Sequence, residues 1–274
     1  MSAPAVTSAA GALEQIDEQK RLEALSLVRE GRVYDLAHVL DETVPVFPGR
    51  SFHQTLVTTA HHANGGGLGD NKVNWITEVY SSTSQLGTHL DSLAHLQRGM
   101  HGYGGVSVDE LAGVAGVNQL GAETIPQIVT RGWLVDVAPL GRGEVITPDH
   151  VAHISPTAGD AVLFHTGWGR LWDDPEAYLA GEPGPGTELA DWLARRGVAL
   201  TGCDTWSYGP VPPEDPTRPF EVPQTLNVDH GVFVVENLDT SELAAAGVRE
   251  FCLVLTHPKL RGATGAWTSP IALV

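Results

Sequence analysis

The chain has 274 residues, enough for one large α/β domain with a substantial core. It carries 16 Lys and Arg against 33 Asp and Glu, a formal net charge of −17, so it lacks the clustered cations that a duplex nucleic-acid binder needs. Hydrophobic residues make up 42% of the chain, which indicates a globular protein, and no apolar run approaches the roughly 18–20 residues that span a bilayer.

The first part of the chain predicts a helix and then extended backbone. Apolar residues recur at helical spacing from Gly11 to Arg32, and Gly31 supplies a stop signal. Val33–Leu36 begins an extended segment, which the prolines that follow keep from becoming helical. Residues 73–83 alternate well enough to predict a strand.

The second half alternates between strand and helix signals. Helices are predicted to begin at Ser107 and Thr147 and to cover residues 187–196 and 241–246. Buried strands are predicted at residues 132–137, 160–165, 198–202, 231–235 and 251–256. Because the early and late segments favour only strands, we expect an α/β fold with a mixed sheet. It forms one domain at 33–274, preceded by an N-terminal helical extension at 1–32.

The two cysteines are informative about the cellular compartment of the protein. Cys203 and Cys252 each lie near an apolar segment, and no secretory signal is visible at the start of the sequence. We therefore expect two buried free thiols in a cytoplasmic protein rather than a disulfide.

The segment Gln85–His95 (QLGTHLDSLAH) contains the densest polar cluster. Residues i and i+2 of an extended backbone point to the same side, so the His89 imidazole and the Asp91 carboxylate converge. Such a pair suits a divalent ion such as Zn²⁺ or Mn²⁺. Gln85 joins them if the strand is regular, and His95 can lie beside the ion as a general acid or base. The alternative is a hydrogen-bonded polar strand at the end of a sheet.

Other residues are candidates for catalysis or substrate binding. Glu236 ends an apolar strand, where an ionised carboxylate must be paired or lie near a cation. Trp75 and Trp206 could form an aromatic wall for a planar substrate, and His101 could orient it. The alternatives are a structural salt bridge for Glu236, core packing for the tryptophans and a turn between glycines for His101.

These motifs resemble a known family. Gln85–His95 looks like the H-x-G-T-H-x-D-x-P-x-H signature of the cyclase family of metal-dependent hydrolases, which includes bacterial kynurenine formamidase and isatin hydrolase. The resemblance extends from about residue 33 to the C-terminus through further motifs in the right order: Asp35–His38, Pro45–Pro48, Asp160–Trp168, Gly202–Thr205 and Gly262–Pro270.

The resemblance implies a swivelling β/β/α fold, in which a mixed, partly barrel-like sheet is flanked by helices, and a homodimer or larger assembly. His89 and Asp91 fall on metal ligands and His95 on a catalytic histidine. Gln224 begins a second metal segment that contains Glu236, so the resemblance implies Gln224 as a third ligand and Glu236 as a catalytic group.

Two departures from the signature limit the metal content. Gln85 replaces its first histidine and Leu93 its proline, so we expect one divalent ion, with Gln85 lining the pocket. The oxygen-rich ligand set modestly favours Mn²⁺ over Zn²⁺.

The resulting expectation is a metal-dependent hydrolase that cleaves a C–N or C–O bond of a small amide, lactam or lactone with activated water. Two alternatives stay open: a metal-dependent cyclase or dehydratase in a natural-product pathway, and a small-molecule binder that has lost catalysis. The expected partner is a small molecule, with no nucleic acid or membrane.

Overall fold

The computed structural model describes residues 8–59 and 65–274, so residues 1–7 of the predicted extension lie outside it. The α-helices in the described residues are α1 (Glu18–Leu25), α2 (Val108–Leu111), α3 (Pro175–Leu179), α4 (Thr187–Arg195), α5 (Glu221–Gln224) and α6 (Ser241–Ala245). The strands are β1 (Val33–Asp35), β2 (Phe52–Thr58), β3 (Thr77–Ser82), β4 (His89–Asp91), β5 (Ala112–Gly113), β6 (Gly116–Val117), β7 (Ile128–Asp136), β8 (Val145–Ile146), β9 (Ala161–His165), β10 (Gly184–Pro185), β11 (Leu200–Cys203), β12 (Phe233–Glu236), β13 (Glu250–Leu255), β14 (Gly265–Trp267) and β15 (Ile271–Leu273).

A nine-stranded mixed sheet forms the centre of the molecule, in the order β1-β15-β13-β7-β9-β11-β12-β4-β14. The four strands β7, β9, β11 and β12 run parallel, and every other pairing in this sheet is antiparallel. Parallel neighbours need crossover connections, and helices α3 and α4 lie in the connection from β9 to β11. The sheet curls into a half-barrel, which confirms the predicted mixed α/β fold.

Both faces of the parallel strands are covered. Alternate residues of β9 illustrate this, because Leu163 belongs to one hydrophobic cluster whereas Val162 and Phe164 belong to another. Leu189 and Leu193 of α4 pack in the second cluster. The predicted strands here read as continuous apolar runs because both of their faces are buried.

The N-terminal segment is not the single helix predicted from Gly11 to Arg32. A 3-10 turn covers Gly11–Gln15, and α1 begins afresh after Asp17, whose side chain accepts a hydrogen bond from the Lys20 amide at 2.8 Å. This side-chain cap starts a new helix where the periodicity suggested continuation. Leu13 and Ile16 pack into the first hydrophobic cluster, so the segment lies against its own domain.

Strands β2 and β3 form a separate antiparallel hairpin. The strand predicted at residues 73–83 is observed as β3, which begins only at Thr77. Several apolar side chains of the hairpin and its connection are exposed, namely Leu56, Val57, Trp75, Ile76, Val79 and Tyr80.

Two further observations concern the cysteines and the absence of a membrane-spanning helix among the described residues. Cys203 and Cys252 are free and buried. Within residues 8–59 and 65–274, no helix combines the length and the apolar character needed to cross a bilayer.

Candidate active site

Strand register brings three ionisable side chains to one face of the sheet. β4 lies between β12 and β14, and Glu236 of β12 is directly opposite His89. Directly opposite residues of an antiparallel pair share a face, as do His89 and Asp91, which are two positions apart. Leu90 between them is fully buried. The convergence predicted for His89 and Asp91 is thus observed, and Glu236 joins them.

The three side chains face one another at short range. His89 Nε2 lies 3.3 Å from Glu236 Oε2 and 3.6 Å from Asp91 Oδ1. His89 Nδ1 lies 2.8 Å from the Gly87 carbonyl oxygen, to which it donates its proton, leaving the Nε2 lone pair directed at the carboxylates. Gly87 adopts φ +58°, and a Cβ there would collide with the Leu40 side chain, so glycine is favoured in this turn.

Burial controls the protonation of the cluster. It lowers the pKa of His89, so the contacts with the carboxylates involve a neutral imidazole. Burial also raises the pKa of Asp91, and it raises the pKa of Glu236 to about 7 against the opposing effect of His95 and Arg50. The cluster therefore holds two carboxyl groups that are poorly compensated by neighbouring cations.

The donors present fit a divalent ion. His89 Nε2 and Asp91 Oδ1 are buried, and neither has a hydrogen-bond partner among the described residues. One ligand atom from each of His89, Asp91 and Glu236 can be chosen so that all three lie within 4.8 Å of one another. Leaving such atoms buried and unpartnered is costly, and a cation bound between them would remove that cost. One imidazole and two carboxylates suit Zn²⁺ or Mn²⁺.

A cavity of about 130 Å³ opens beside this cluster and is lined by Asp91, His95 and Glu236. His95 Nε2 lies 4.0 Å from Asp91 Oδ1, and the His95 side chain is 23% exposed, so it is accessible from the cavity. Trp206 also lines the cavity, and its role in an aromatic wall for the substrate stays a prediction. This arrangement can bind a small molecule between the His95 imidazole and the cluster of His89, Asp91 and Glu236.

Four other predicted site residues have contacts away from the cavity lining. Gln224 Nε2 donates to the Gln97 carbonyl oxygen at 2.8 Å, and Gln85 Nε2 donates to Thr264 Oγ1 at 2.9 Å. His101 is exposed in a turn, and Trp75 is 44% exposed before β3. None of the four is among the residues that line the cavity, which are Phe47, Arg50, Asp91, His95, Leu96, Trp206, Ser207, Phe220, Pro223 and Glu236. Their roles stay predictions that these contacts do not support.

Sequence reasoning missed six cavity residues: Phe47, Arg50, Leu96, Ser207, Phe220 and Pro223. Phe47 and Arg50 belong to one turn, in which the Arg50 amide donates to the Phe47 carbonyl at 3.0 Å. The proline and glycine content of this segment predicted irregular backbone, and that was the available signal. Nothing local indicates that the turn folds over a strand some forty residues further along the chain.

A larger cavity of about 680 Å³ is lined by His38, His165, Asp204 and other residues. The His165 Nδ1 atom lies 2.8 Å from Thr240 Oγ1, a satisfied polar contact. The same atom lies 3.5 Å from Asp204 Oδ2, but no three ligand atoms among the described residues of this second cavity lie within 4.8 Å of one another, as those of His89, Asp91 and Glu236 do. The smaller cavity is therefore the better candidate for catalysis.

A mixed sheet that carries a buried His–Asp–Glu cluster under a small cavity defines a candidate metalloenzyme. Residues 34–210, more than half of the chain, match the model of the family described as putative cyclase. The chain belongs to the putative cyclase family, as its motifs predicted.

Curated relatives and solved structures agree with this assignment. Kynurenine formamidase of Bordetella pertussis is 26% identical over 184 residues, which are 66% of this chain and 72% of that protein. Kynurenine formamidase of Bordetella petrii is 28% identical over 187 residues, with the same coverage. These relatives are hydrolases, which supports an enzymatic role.

Two solved structures show how far the fold is shared. A structure described as a novel cyclase superposes with a TM-score of 0.87 at 26% identity and covers 97% of this chain and 96% of its own. Isatin hydrolase A from Ralstonia solanacearum gives a TM-score of 0.69 at 20% identity, covering 89% and 92% of the two chains, and shows the same fold.

Proposed function

We propose that this protein is a metal-dependent hydrolase that cleaves a C–N or C–O bond of a small amide, lactam or lactone. The observation that carries the proposal is the buried cluster of His89, Asp91 and Glu236 beside a cavity, in which His89 Nε2 and Asp91 Oδ1 have no hydrogen-bond partner among the described residues. The relatives named as formamidases support hydrolysis of a carbonyl–nitrogen bond.

The residues divide into ligands and a proton carrier. His89, Asp91 and Glu236 would hold one divalent ion, Mn²⁺ or Zn²⁺, with Glu236 as a ligand rather than a separate catalytic group. When bound, such an ion polarises a carbonyl and lowers the pKa of water toward neutrality. His95 takes up the proton of the attacking water at Nε2 and delivers it to the leaving nitrogen or oxygen. Trp206 packs against the substrate and excludes bulk water from the cavity.

Assembly and location complete the proposal. The exposed apolar side chains of the β2–β3 hairpin favour a homo-oligomer, because large apolar patches commonly mark protein–protein contacts. The two free thiols favour a reducing, cytoplasmic location.

The first test is the substitution His95→Ala. We expect the variant to retain one divalent ion per chain and to lose roughly 10²–10⁴-fold in kcat, because a general acid–base is worth that much. Metal content is measured by elemental analysis, and turnover is followed with a panel of small formamides, lactams and lactones. His153→Ala, which changes an exposed histidine elsewhere, is the matched control.

Isotope labelling separates hydrolysis from a cyclase or dehydratase reaction. Incorporation of oxygen from ¹⁸O-labelled water into the product is expected only for hydrolysis. Full activity of metal-loaded His95→Ala would refute the role of His95. A purified protein that takes up neither Mn²⁺ nor Zn²⁺ would refute the proposed function as a whole.

A further inference from the structure

The His95 turn, residues 92–98, is closed by hydrogen bonds of its own. The His95 amide donates to the Ser92 carbonyl oxygen at 3.0 Å. Gln97 Nε2 donates to the Ala94 carbonyl oxygen at 2.8 Å and to that of His95 at 3.2 Å. Because these bonds join the turn into one unit, the place of the His95 side chain at the cavity depends on what holds that unit.

A segment more than a hundred residues further along the chain binds the His95 turn. It consists of Gln224, the last residue of α5, and the π-helical turn Thr225–Asp229 that follows. Gln224 Nε2 donates to the Gln97 carbonyl oxygen at 2.8 Å. The buried Asn227 donates from Nδ2 to the Ser92 carbonyl oxygen at 3.4 Å. Turns of the π type are rare and frequently lie at functional sites, so this contact is a candidate for a functional role.

A bidentate ion pair joins the same two segments. Arg98 Nε donates to Asp229 Oδ1 at 3.2 Å, and Arg98 Nη2 donates to Asp229 Oδ2 at 2.6 Å. The side chains of Arg98 and Asp229 are 41% and 38% exposed, so water screens the pair and it adds little to the stability of the fold. Two parallel hydrogen bonds nevertheless fix the guanidinium in direction as well as in distance. The pair therefore orients the turn more than it stabilises the protein.

Orientation is what the proposed role of His95 requires. A general acid–base acts only within hydrogen-bond reach of the proton that it transfers. A displacement of about 1 Å caused by a change far from the chemistry can cost about 10²-fold in rate. Arg98 is only three residues beyond His95 and belongs to the same turn, so its release from Asp229 frees the end of the turn next to His95.

We propose that Asp229 is a positioning residue, which holds Arg98 and thereby keeps His95 in place at the cavity. This inference rests on the proposed function, because it assigns a support to the proton carrier of that reaction. Asp229 acts only through the His95 turn and takes no part in the chemistry itself.

The first test is a double-mutant cycle between Asp229 and His95. We expect Asp229→Ala to lower kcat about 10–100-fold, with KM changed less than about twofold and one divalent ion retained per chain. In a protein that already carries His95→Ala, the same substitution should change kcat less than about twofold, because no imidazole is left to position. A merely structural role of Asp229 would lower kcat equally in both backgrounds.

Amide hydrogen exchange gives a second readout that needs no turnover. The His95 amide should exchange about tenfold faster in Asp229→Ala than in the wild type, whereas the amides of β9 should exchange at wild-type rates. Glu250→Ala is the matched control, because it breaks a comparable pair with Arg131, whose side chains are 40% and 27% exposed. This control should keep wild-type kcat and wild-type exchange of the His95 amide.

Three results would overturn the proposal: wild-type kcat in Asp229→Ala, an equal loss of kcat with and without His95, or an unchanged exchange rate of the His95 amide. Loss of metal from Asp229→Ala would also overturn it, because Asp229 would then serve the metal cluster. If the wild type binds metal but hydrolyses none of the formamides, lactams and lactones, the proposed function fails. The exchange rates alone then decide whether Asp229 holds the turn.

Discussion

Asn237 shows how a single residue positions the His89 imidazole. Its Nδ2 donates to the Gly87 carbonyl oxygen at 2.9 Å, the same oxygen that accepts from His89 Nδ1. Its Oδ1 accepts from the Tyr178 hydroxyl at 2.8 Å, and its backbone adopts φ +54° directly after Glu236. The residue therefore links the two strands that carry the proposed ligands and fixes the orientation of His89 through Gly87.

The substitution Asn237→Gly tests this positioning role. Glycine accepts the left-handed backbone without strain, so the variant removes only the side chain. We expect Zn²⁺ affinity to fall about 10–100-fold, the usual cost of losing a group that orients a ligand. Competition with a chromophoric chelator measures the affinity, and Asn71→Gly, in an exposed turn, is the matched control. Wild-type affinity in Asn237→Gly would show that Asn237 does not orient His89.

At the scale of an element, a buried carboxyl group holds the turn that carries Trp206. Glu182 is completely buried and accepts hydrogen bonds from the Trp206 amide at 2.6 Å, the Ser207 amide at 3.0 Å and the Ser207 hydroxyl. These bonds tie one wall of the cavity to the segment after α3. Burial nevertheless raises the pKa of Glu182 well above its ordinary value of 4.5, and the hydrogen-bond donors only partly oppose it.

The raised pKa of Glu182 predicts a pH-dependent effect of Glu182→Gln. A carboxyl whose pKa is higher in the folded than in the unfolded protein contributes stability below its unfolded pKa and loses that contribution as pH rises through its folded pKa. Glutamine does not titrate. The free energy of unfolding of wild type minus that of Glu182→Gln should therefore be smaller at pH 8 than at pH 5. Over part of the interval from pH 5 to pH 8, the folded protein still holds the Glu182 proton that the unfolded chain has released. For each such pH unit, the difference decreases by about 1.4 kcal/mol.

Urea unfolding of the EDTA-treated proteins at the two pH values measures this difference. Removing metal first keeps the pH dependence of metal binding out of the comparison. Glu188→Gln, in the first turn of α4, is the matched control, and its difference from wild type should vary little with pH. A wild-type advantage that stays constant or grows toward pH 8 would contradict the raised pKa of Glu182.

At the scale of the whole molecule, most of the central strands were predictable and the edge strand β14 was not. Continuous apolar runs indicated β9, β11, β12 and β13 to within about two residues at each end. Short strands such as β14 lack that signal, because their place in the sheet depends on partners distant in the chain. Local capping by Asp17 likewise ended a helix that periodicity alone would have continued.

The candidate site was likewise predictable only where its geometry depends on residues close together in the sequence. Spacing within one strand predicted that His89 and Asp91 converge, because that geometry is local. Glu236 was identified as a buried carboxylate, but its position opposite His89 follows from strand register, which one strand does not reveal. Arg50 and Phe47 reach the cavity on a loop, and sequence alone offers no rule for where a loop folds.

A last prediction concerns how much the contacts of the N-terminal segment contribute to the free energy of unfolding of the whole domain. Lys20 Nζ lies 2.7 Å from Asp160 Oδ1 and donates to Thr157 Oγ1 at 2.8 Å, and the Lys20 and Asp160 side chains are only 9% and 0% exposed. Lys20→Met leaves the Asp160 carboxylate buried without its cation, which typically costs about 3–5 kcal/mol. Urea unfolding of the EDTA-treated protein should show a loss of that size.

Arg32→Met is the control with which the stability loss of Lys20→Met is compared. It breaks the exposed pair between Arg32 and Glu30, whose side chains are 65% and 52% exposed, and should leave the free energy of unfolding almost unchanged, because water screens such a pair. A large gap in the free energy of unfolding between the two variants, within a single cooperative transition, means that α1 unfolds together with the sheet, because Asp160 directly precedes β9. Equal stability of Lys20→Met and Arg32→Met would instead make α1 an appendage that the domain does not need.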